Sequence, residues 1–130
     1  MAVDMMNREG ECRMGITHIR GTVTGAGSKK AKVRFLVDSG AAYTLLPEKI
    51  WKSIGLRAKR TQSFSLADGT EIDRQVSECH IALPQGDGHT PVILGEGSDE
   101  ALLGVVTLEK LGLVLNPFNR TLQPMRALLA

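Results

Sequence analysis

The polar and apolar residues of the chain alternate with a period of two over several segments. β-Branched residues are dense in these segments, a pattern typical of strands that bury one face. Glycine-rich or Asp-Gly sequences separate several of the segments, which predicts hairpins. The predicted extended segments are residues 15–24, 31–37, 43–46, 62–73, 76–83, 91–94, 101–104, 113–117 and 120–126. The content is therefore mostly β.

Two short segments have the spacing of helices instead. Pro47 is well placed at the first position of a helix that Gly55 would end. The apolar face of this helix would carry Ile50, Trp51 and Ile54. Residues 105–111 can form two further helical turns before Gly112. The pattern thus predicts an all-β domain with one or two short helices.

Two hairpin turns are suggested by their composition. An Asp-Gly pair lies at the centre of residues 62–73 and is the strongest short hairpin signal in the chain. If that pair alone forms the turn, Phe64 faces Asp73 and neither face of the hairpin is uniformly apolar. Such a ribbon would project into solvent. Residues 84–88 read as a long turn between two further strands.

The length and charge narrow the class of protein. A chain of 130 residues suggests one domain. Residues 1–13 are polar and unpatterned, so we expect a flexible N-terminal arm followed by a single domain over residues 14–130. The formal charge of +2 is too small to imply nucleic acid, and no run approaches the ~18 apolar residues of a membrane span. We expect a cytoplasmic protein with no nucleic-acid or membrane partner.

The cysteines and histidines lack the spacing of metal ligands. Cys12 and Cys79 are the only cysteines, too few for a disulfide framework. Cys79 alternates with apolar neighbours, as a small buried residue does. His80 and His89 lie on one predicted hairpin with no carboxylate or second histidine at ligand spacing in the sequence. We therefore expect neither a metal nor another cofactor.

One acid stands out from the pattern. The apolar run of residues 33–37 ends in Asp38-Ser39-Gly40, and more apolar sequence follows at once. A carboxylate in such a turn can accept hydrogen bonds from backbone N–H groups and from the serine hydroxyl. Two carboxylates that share a site hold one proton between them, and such a pair can activate water and polarise a peptide carbonyl. Gly40 would let a substrate or a partner approach closely.

The same tripeptide also has a simpler interpretation. All three of its residues are turn formers, so Asp-Ser-Gly can be only a turn. Ser39 is a weaker candidate for a nucleophile, because the chain has no Gly-x-Ser-x-Gly elbow and no histidine placed to serve it.

The sequence around Asp38 resembles the catalytic segment of the retropepsin-like (retroviral-type) aspartic proteases. Residues 35–41, followed by Thr-Leu-Leu-Pro at 44–47, are similar to that segment. Residues 14–37 look like the family's first hairpin, and residues 62–73 fall where the family has its flap, the hairpin that closes over bound peptide. Residues 101–116 resemble its aliphatic-aliphatic-Gly element, short helix and following strand. The resemblance implies a small closed acid-protease barrel of hairpins.

The resemblance also implies roles for particular residues. Asp38 would be the catalytic aspartate, and the active-site loop would comprise Ser39, Gly40 and Ala41. Ser39 would supply the hydroxyl that locks two such loops together across a dimer. Gly104, with Leu103, would pack beneath the loop and support it. The flap tip would consist of Leu66, Ala67, Asp68, Gly69 and Thr70, although it lacks the glycine-rich sequence of the viral enzymes.

Only one Asp-Ser/Thr-Gly sequence occurs in the chain, so an active enzyme of this type has to be a homodimer. The function that follows is an aspartic endopeptidase acting on extended polypeptide. An alternative is a catalytically inactive dimeric scaffold or peptide-binding module with the same fold. A further alternative is an unrelated small β-barrel binding protein in which Asp-Ser-Gly is only a turn. The tail beyond Asn116 could pair strands across the dimer, lie over the cleft or occupy and regulate it.

Overall fold

The computed structural model describes residues 17–38, 40–116, 118 and 121–125. The predicted N-terminal arm, Ser39 and the apolar end of the chain after residue 125 lie outside the described residues. The elements are β1 (Thr17–Thr24), β2 (Lys30–Val37), β3 (Thr44–Leu46), α1 (Glu48–Ser53), β4 (Arg60–Ser65), β5 (Glu71–Leu83), β6 (Gly86–Leu94), β7 (Leu102–Leu103), α2 (Val105–Lys110), β8 (Leu113–Asn116) and β9 (Thr121–Pro124). The predicted all-β class with two short helices is confirmed.

Seven of the strands form one sheet in the order β1-β2-β7-β3-β6-β5-β4. β1 also pairs with β5, so the order returns on itself and β4 extends the far half of β5. β7 runs parallel to β2, and β3 runs parallel to β6, whereas the other pairs are antiparallel. β8 and β9 form a separate two-stranded ribbon.

The core lies inside this ring of strands. Alternation along β2 directs Val33, Phe35 and Val37 inward, where all three are buried. The remaining large side chains that are fully buried are mainly aliphatic. They come from β1, β3, β5, β6 and β7 and from the residue that follows α1: Val23, Leu46, Ile54, Val76, Ile81, Val92 and Leu103. Phe35 is the only aromatic among the buried core side chains of the described residues, as the composition led us to expect.

Both helices are only six residues long and depend on contacts with the sheet. α1 begins one residue later than predicted, because Pro47 lies at its N-cap, and it is followed by Gly55 with φ of +72°. The Trp51 indole on α1 donates a hydrogen bond of 2.8 Å to the carbonyl of Gly95. No helix in the described part of the chain has the length and apolar character needed to cross a membrane.

The hairpin of β4 and β5 has a different register from the one predicted. Phe64 faces Ile72 rather than Asp73, and residues 67–69 form a three-residue loop in place of a two-residue turn. The reason is that Gly69 adopts φ of +88° and serves as the extra residue that closes the turn. The shift puts Phe64 and Ile72 on one half-buried face together with Gln62 and Arg74, so the predicted register was wrong although neither face is uniformly apolar.

The predicted long turn at residues 84–88 was also wrong. β6 begins at Gly86, which pairs with Leu83, so only two residues connect β5 to β6. This pairing places His80 opposite His89, and the His80 ring lies 2.8 Å from a carboxylate oxygen of Asp87. The sequence spacing had not indicated these contacts, because they arise only from strand pairing. No group of three potential metal ligands is found among the described residues.

Candidate active site

Asp38 is the first residue after β2 and lies in a tight turn. Its amide donates a hydrogen bond of 3.2 Å to the carbonyl of Leu103, and its own carbonyl accepts one of 3.0 Å from Ala41. The Asp38 Oδ1 atom accepts a hydrogen bond of 2.9 Å from the Gly40 amide. The side chain is nevertheless exposed in a single copy of the chain. The turn therefore orients the carboxylate without covering it.

The segment from β7 into α2 supports the loop that carries Asp38. The first two amides of α2 donate hydrogen bonds to the carbonyls of Ala41 and Ala42, at 2.9 and 2.8 Å respectively. Gly104 lies against the loop so closely that a Cβ atom there would be 2.4 Å from the carbonyl carbon of Tyr43. Any side chain at this position would displace the loop backbone. Leu103 and Gly104 thus hold Asp38, Ala42 and Tyr43 in position through backbone contacts.

A cluster of three buried threonines, Thr44, Thr90 and Thr107, lies behind this contact. Thr44 Oγ1 accepts a hydrogen bond of 3.0 Å from the Gly104 amide. The Thr107 hydroxyl lies 2.5 Å from that of Thr44 and 2.8 Å from that of Thr90. The threonine cluster therefore joins β3, β6 and α2 directly beneath the candidate loop. Sequence reasoning missed Thr90 and Thr107, since nothing in their local sequence indicates a shared site.

The predicted flap tip forms the exposed end of the β4–β5 hairpin. The Gly69 amide donates to the Leu66 carbonyl at 2.9 Å, and the Leu66 amide donates to the Thr70 carbonyl at 2.7 Å. Asp68 Oδ1 accepts a hydrogen bond of 2.9 Å from the Thr70 amide, and this bond lowers the pKa of the Asp68 carboxyl. Residues 66–70, including Ala67, are all exposed. The hairpin thus ends in a hydrogen-bonded turn whose side chains are exposed.

The base of this hairpin contacts the loop that carries Asp38. The ring of Phe64 packs edge-on against Tyr43, with 5.5 Å between the ring centroids. The Gln62 side-chain amide lies 3.4 Å from the Tyr43 hydroxyl. Tyr43 follows Asp38 by five residues, so its contact with Phe64 links the turn at Asp38 to the hairpin. Nothing in the residues around Tyr43 indicates this role beyond the strand pattern.

A second contact ties the hairpin to residues 96–99. Arg74 on β5 forms an ion pair of 2.9 Å with Asp99, which also accepts a hydrogen bond of 2.9 Å from the Glu96 amide. The pKa of the Asp99 carboxyl is lowered, first by that amide and then by Arg74. The hairpin is therefore anchored at its base while its tip stays exposed.

The structure brings the predicted site residues together in two groups. Asp38, Gly40, Ala41, Leu103 and Gly104 form one bonded unit, and the hairpin tip forms the other. Tyr43 and Phe64 connect the two groups. The described chain thus presents the exposed Asp38 carboxylate in a loop that is linked to the hairpin through Tyr43 and Phe64.

Comparison with known families gives one match. The family model for gag-polyprotein putative aspartyl protease matches residues 14–110, which include Asp38, the hairpin and α2. A search of curated proteins finds no match. The ring of strands with two short helices agrees with the all-β fold of that family. The chain belongs to the retropepsin-like aspartyl proteases.

Proposed function

We propose that the protein is an aspartic endopeptidase that hydrolyses peptide bonds in extended polypeptides, with Asp38 as its catalytic residue. The observation that carries this proposal is the turn after β2, in which an exposed carboxylate is held by the Gly40 amide. The same turn is bonded to β7 and α2, so the carboxylate is oriented by backbone rather than by flexible side chains. An accessible and oriented carboxylate can act as general base toward a water molecule.

The active form in this proposal is a homodimer. Activation of water and polarisation of a peptide carbonyl require two carboxylates in one site. The chain contains one Asp-Ser-Gly sequence, so the second carboxylate comes from Asp38 of another copy, across a two-fold axis. Ser39, although outside the described residues, would supply the hydroxyl that joins the two loops.

The ribbon of β8 and β9 supports dimerisation. Among the described strands, these two pair only with each other, and unpaired strand edges favour pairing with another chain. The inner face of the ribbon packs on the core through Leu113 and Leu122. Its surroundings expose apolar side chains, with Val114, Met125 and Phe118 exposed to 47%, 42% and 96%. We infer that this ribbon contributes to the contact between the two copies.

The surface next to Asp38 supports a peptide substrate with apolar side chains. Leu36 is the last outward-facing residue of β2 and precedes Asp38 by two residues. Leu102 lies beside Leu36 on β7, and Leu45 lies beside Leu102 on β3. All three leucines are only half-buried. This row would receive apolar side chains near the scissile bond, beneath the hairpin that Leu66 and its neighbours complete.

Cleavage of unstructured peptides at acidic pH tests the proposal. We expect hydrolysis that a statine-type inhibitor blocks and that falls by about 10³-fold in Asp38→Asn. The matched control is Asp87→Asn, which removes an exposed carboxylate on another hairpin and should leave the rate unchanged. Equal rates for the wild type and Asp38→Asn would contradict the proposal. Peptide binding without cleavage by either protein would favour the inactive peptide-binding module.

A further inference from the structure

The outer surface of β1 and β2 is strongly basic. Arg20 on β1 lies directly opposite Arg34 on β2, and Lys32 and Lys30 follow on the same side of β2. We call these four residues the basic face. All four side chains are exposed, whereas Val33 and Phe35 between them point into the core. Strand alternation therefore places these four cations on the outer surface and the apolar side chains on the inner one.

The four cations of the basic face have no direct partner within the described part of the chain. None of its four side chains forms an ion pair or hydrogen bond there. Of the nearby acids, Asp87 contacts His80 and Asp99 pairs with Arg74. Asp99 and Glu100 also line a second hollow beside Lys32 and Arg34, without an ion pair to either. Like charges directly opposite each other in a sheet repel, so the pairing of Arg20 with Arg34 favours a bound anion.

A hollow of about 570 Å³ lies on the same surface. It is lined by Arg20, Thr22, Lys32, Arg34, Ala82 and Pro84, together with the backbone beside them. No acidic side chain of the described residues lines it. The hollow thus combines three cations with small, neutral neighbours that leave room for a ligand.

The basic face continues the surface that holds the candidate active site. Arg34 precedes Asp38 by four residues, a distance of about 13 Å along an extended strand. Leu36, from the apolar row described above, lies between them, on the same side of β2 as Arg34. An extended polypeptide whose scissile bond lies at Asp38 would therefore span about four residues along β2 before it reaches Arg34.

We propose that the basic face binds an acidic segment of the polypeptide substrate, outside the cleft in which cleavage occurs. That this polypeptide is a substrate rests on the proposed function, whereas its binding to the face does not. Side chains two residues apart along a strand are about 6.7 Å apart in both chains, so acids at alternate positions match Lys30, Lys32 and Arg34. The charge complementarity would select substrates by a segment several residues from the scissile bond.

Single-stranded nucleic acid fits this surface less well than an acidic peptide does. Proteins that bind single strands stack bases on aromatic side chains. The described residues include every Phe, Tyr and Trp of the chain, and none of these lies on the basic face. Cations without stacking partners favour a ligand whose charges are carried on an extended peptide.

Direct binding to the Asp38→Asn protein tests the proposal without relying on catalysis. The probes are two fluorescent peptides with the same apolar segment. One continues with alternating Glu and Ser, and the other continues with alternating Gln and Ser. We expect the glutamate peptide to bind about tenfold more tightly by anisotropy, and this advantage to disappear in Arg20→Ala/Arg34→Ala. The matched control, Lys49→Ala/Arg57→Ala, removes the same charge from exposed positions elsewhere and should preserve it. The advantage should also decrease as salt is added.

Four other outcomes would change this conclusion. Equal binding of the two peptides, or an equal loss in both double variants, would overturn the proposal even if the wild type cleaves both peptides. Tighter binding of oligothymidylate than of the glutamate peptide at the same ionic strength would overturn it in favour of nucleic acid. Selective binding of the glutamate peptide, together with no cleavage of either peptide by the wild type, would support the basic face and contradict the proposed peptidase.

Discussion

Replacement of Gly104 by alanine tests how the candidate loop is supported. Gly104 has φ of −98° and ψ of 170°, a conformation that alanine adopts without strain. The added Cβ would, however, lie 2.4 Å from the carbonyl carbon of Tyr43 and 2.7 Å from the carbonyl oxygen of Ala42. These are backbone atoms, so no side chain can rotate away to make room. The loop itself has to move.

The expected cost follows from these contacts. Inserting a methyl group into a well-packed site costs about 1–3 kcal/mol. Displacing the loop also weakens the hydrogen bonds that the amides of Val105 and Val106 donate to it, each worth about 1 kcal/mol. We therefore expect Gly104→Ala to lower the free energy of unfolding by about 2–4 kcal/mol. A shift of about 1 Å at Asp38 would also reduce peptidase activity by about 100-fold.

Urea unfolding measures the loss of stability, provided that the m-value is unchanged. Peptide cleavage under conditions in which both proteins are folded measures the loss of activity. The matched control is Gly86→Ala on β6, where the nearest atom to the new Cβ is 3.4 Å away. That variant should stay within about 1 kcal/mol of the wild type. Wild-type stability and activity in Gly104→Ala would refute the reasoning, since the backbone contact would then not hold the loop.

Three further predictions concern the surrounding structure. Thr107→Val removes the central hydroxyl of the threonine cluster and should lower the free energy of unfolding by about 1–3 kcal/mol, whereas an unchanged urea midpoint would contradict this. Asp99→Asn should lower the urea midpoint at pH 7. The folded chain lowers the pKa of the Asp99 carboxyl, so the ionised carboxylate stabilises the fold at pH values above its ordinary pKa of about 3.9. This stabilisation is lost as the pH falls through the lower pKa that the carboxyl has in the folded chain. The difference between this variant and the wild type should therefore shrink on acidification; a constant difference would refute the role of the charge. Burial raises the pKa of the Cys79 thiol to about 12. In a Cys12→Ser variant, iodoacetamide should therefore label Cys79 much more slowly in the folded chain than in the urea-unfolded chain. Equal labelling rates would contradict the burial of Cys79.

Most of the elements could be predicted from the sequence because their signals are local. Period-two alternation identified the strands, and glycine or proline marked the ends of α1 and the start of several turns. The turn at Asp38 could also be recognised, since an acid between two apolar runs is local information. These signals were sufficient for the fold class, whereas the family was indicated by the resemblance of residues 35–47, 62–73 and 101–116 to its motifs.

The register of the flap hairpin could not be predicted from its turn sequence. Asp-Gly is compatible with a two-residue turn and also with a three-residue loop in which Gly69 is the extra residue. The choice depends on which face of the hairpin has something to pack against. Phe64 packs against Tyr43, and only the three-residue loop puts Ile72 on the same face. The deciding contact lies about twenty residues away along the chain.

The supporting contacts of the site were hidden from the sequence for a similar reason. Thr44 and Thr107 are 63 residues apart, and their hydroxyls meet only after β3, β6 and α2 have packed. The basic face likewise depends on the pairing of Arg20 with Arg34, which is a consequence of the β1–β2 register. Residue type and spacing cannot reveal partners that strand pairing brings together.

The central claim is that each active site combines Asp38 from two copies of the chain. Wild-type and Asp38→Asn proteins can be unfolded together, refolded at constant total concentration and assayed for peptide cleavage. Two copies then pair at random, so an equal mixture should retain about one quarter of the activity of the wild type alone. Activity proportional to the wild-type fraction, about one half in the equal mixture, would contradict a site shared between two chains.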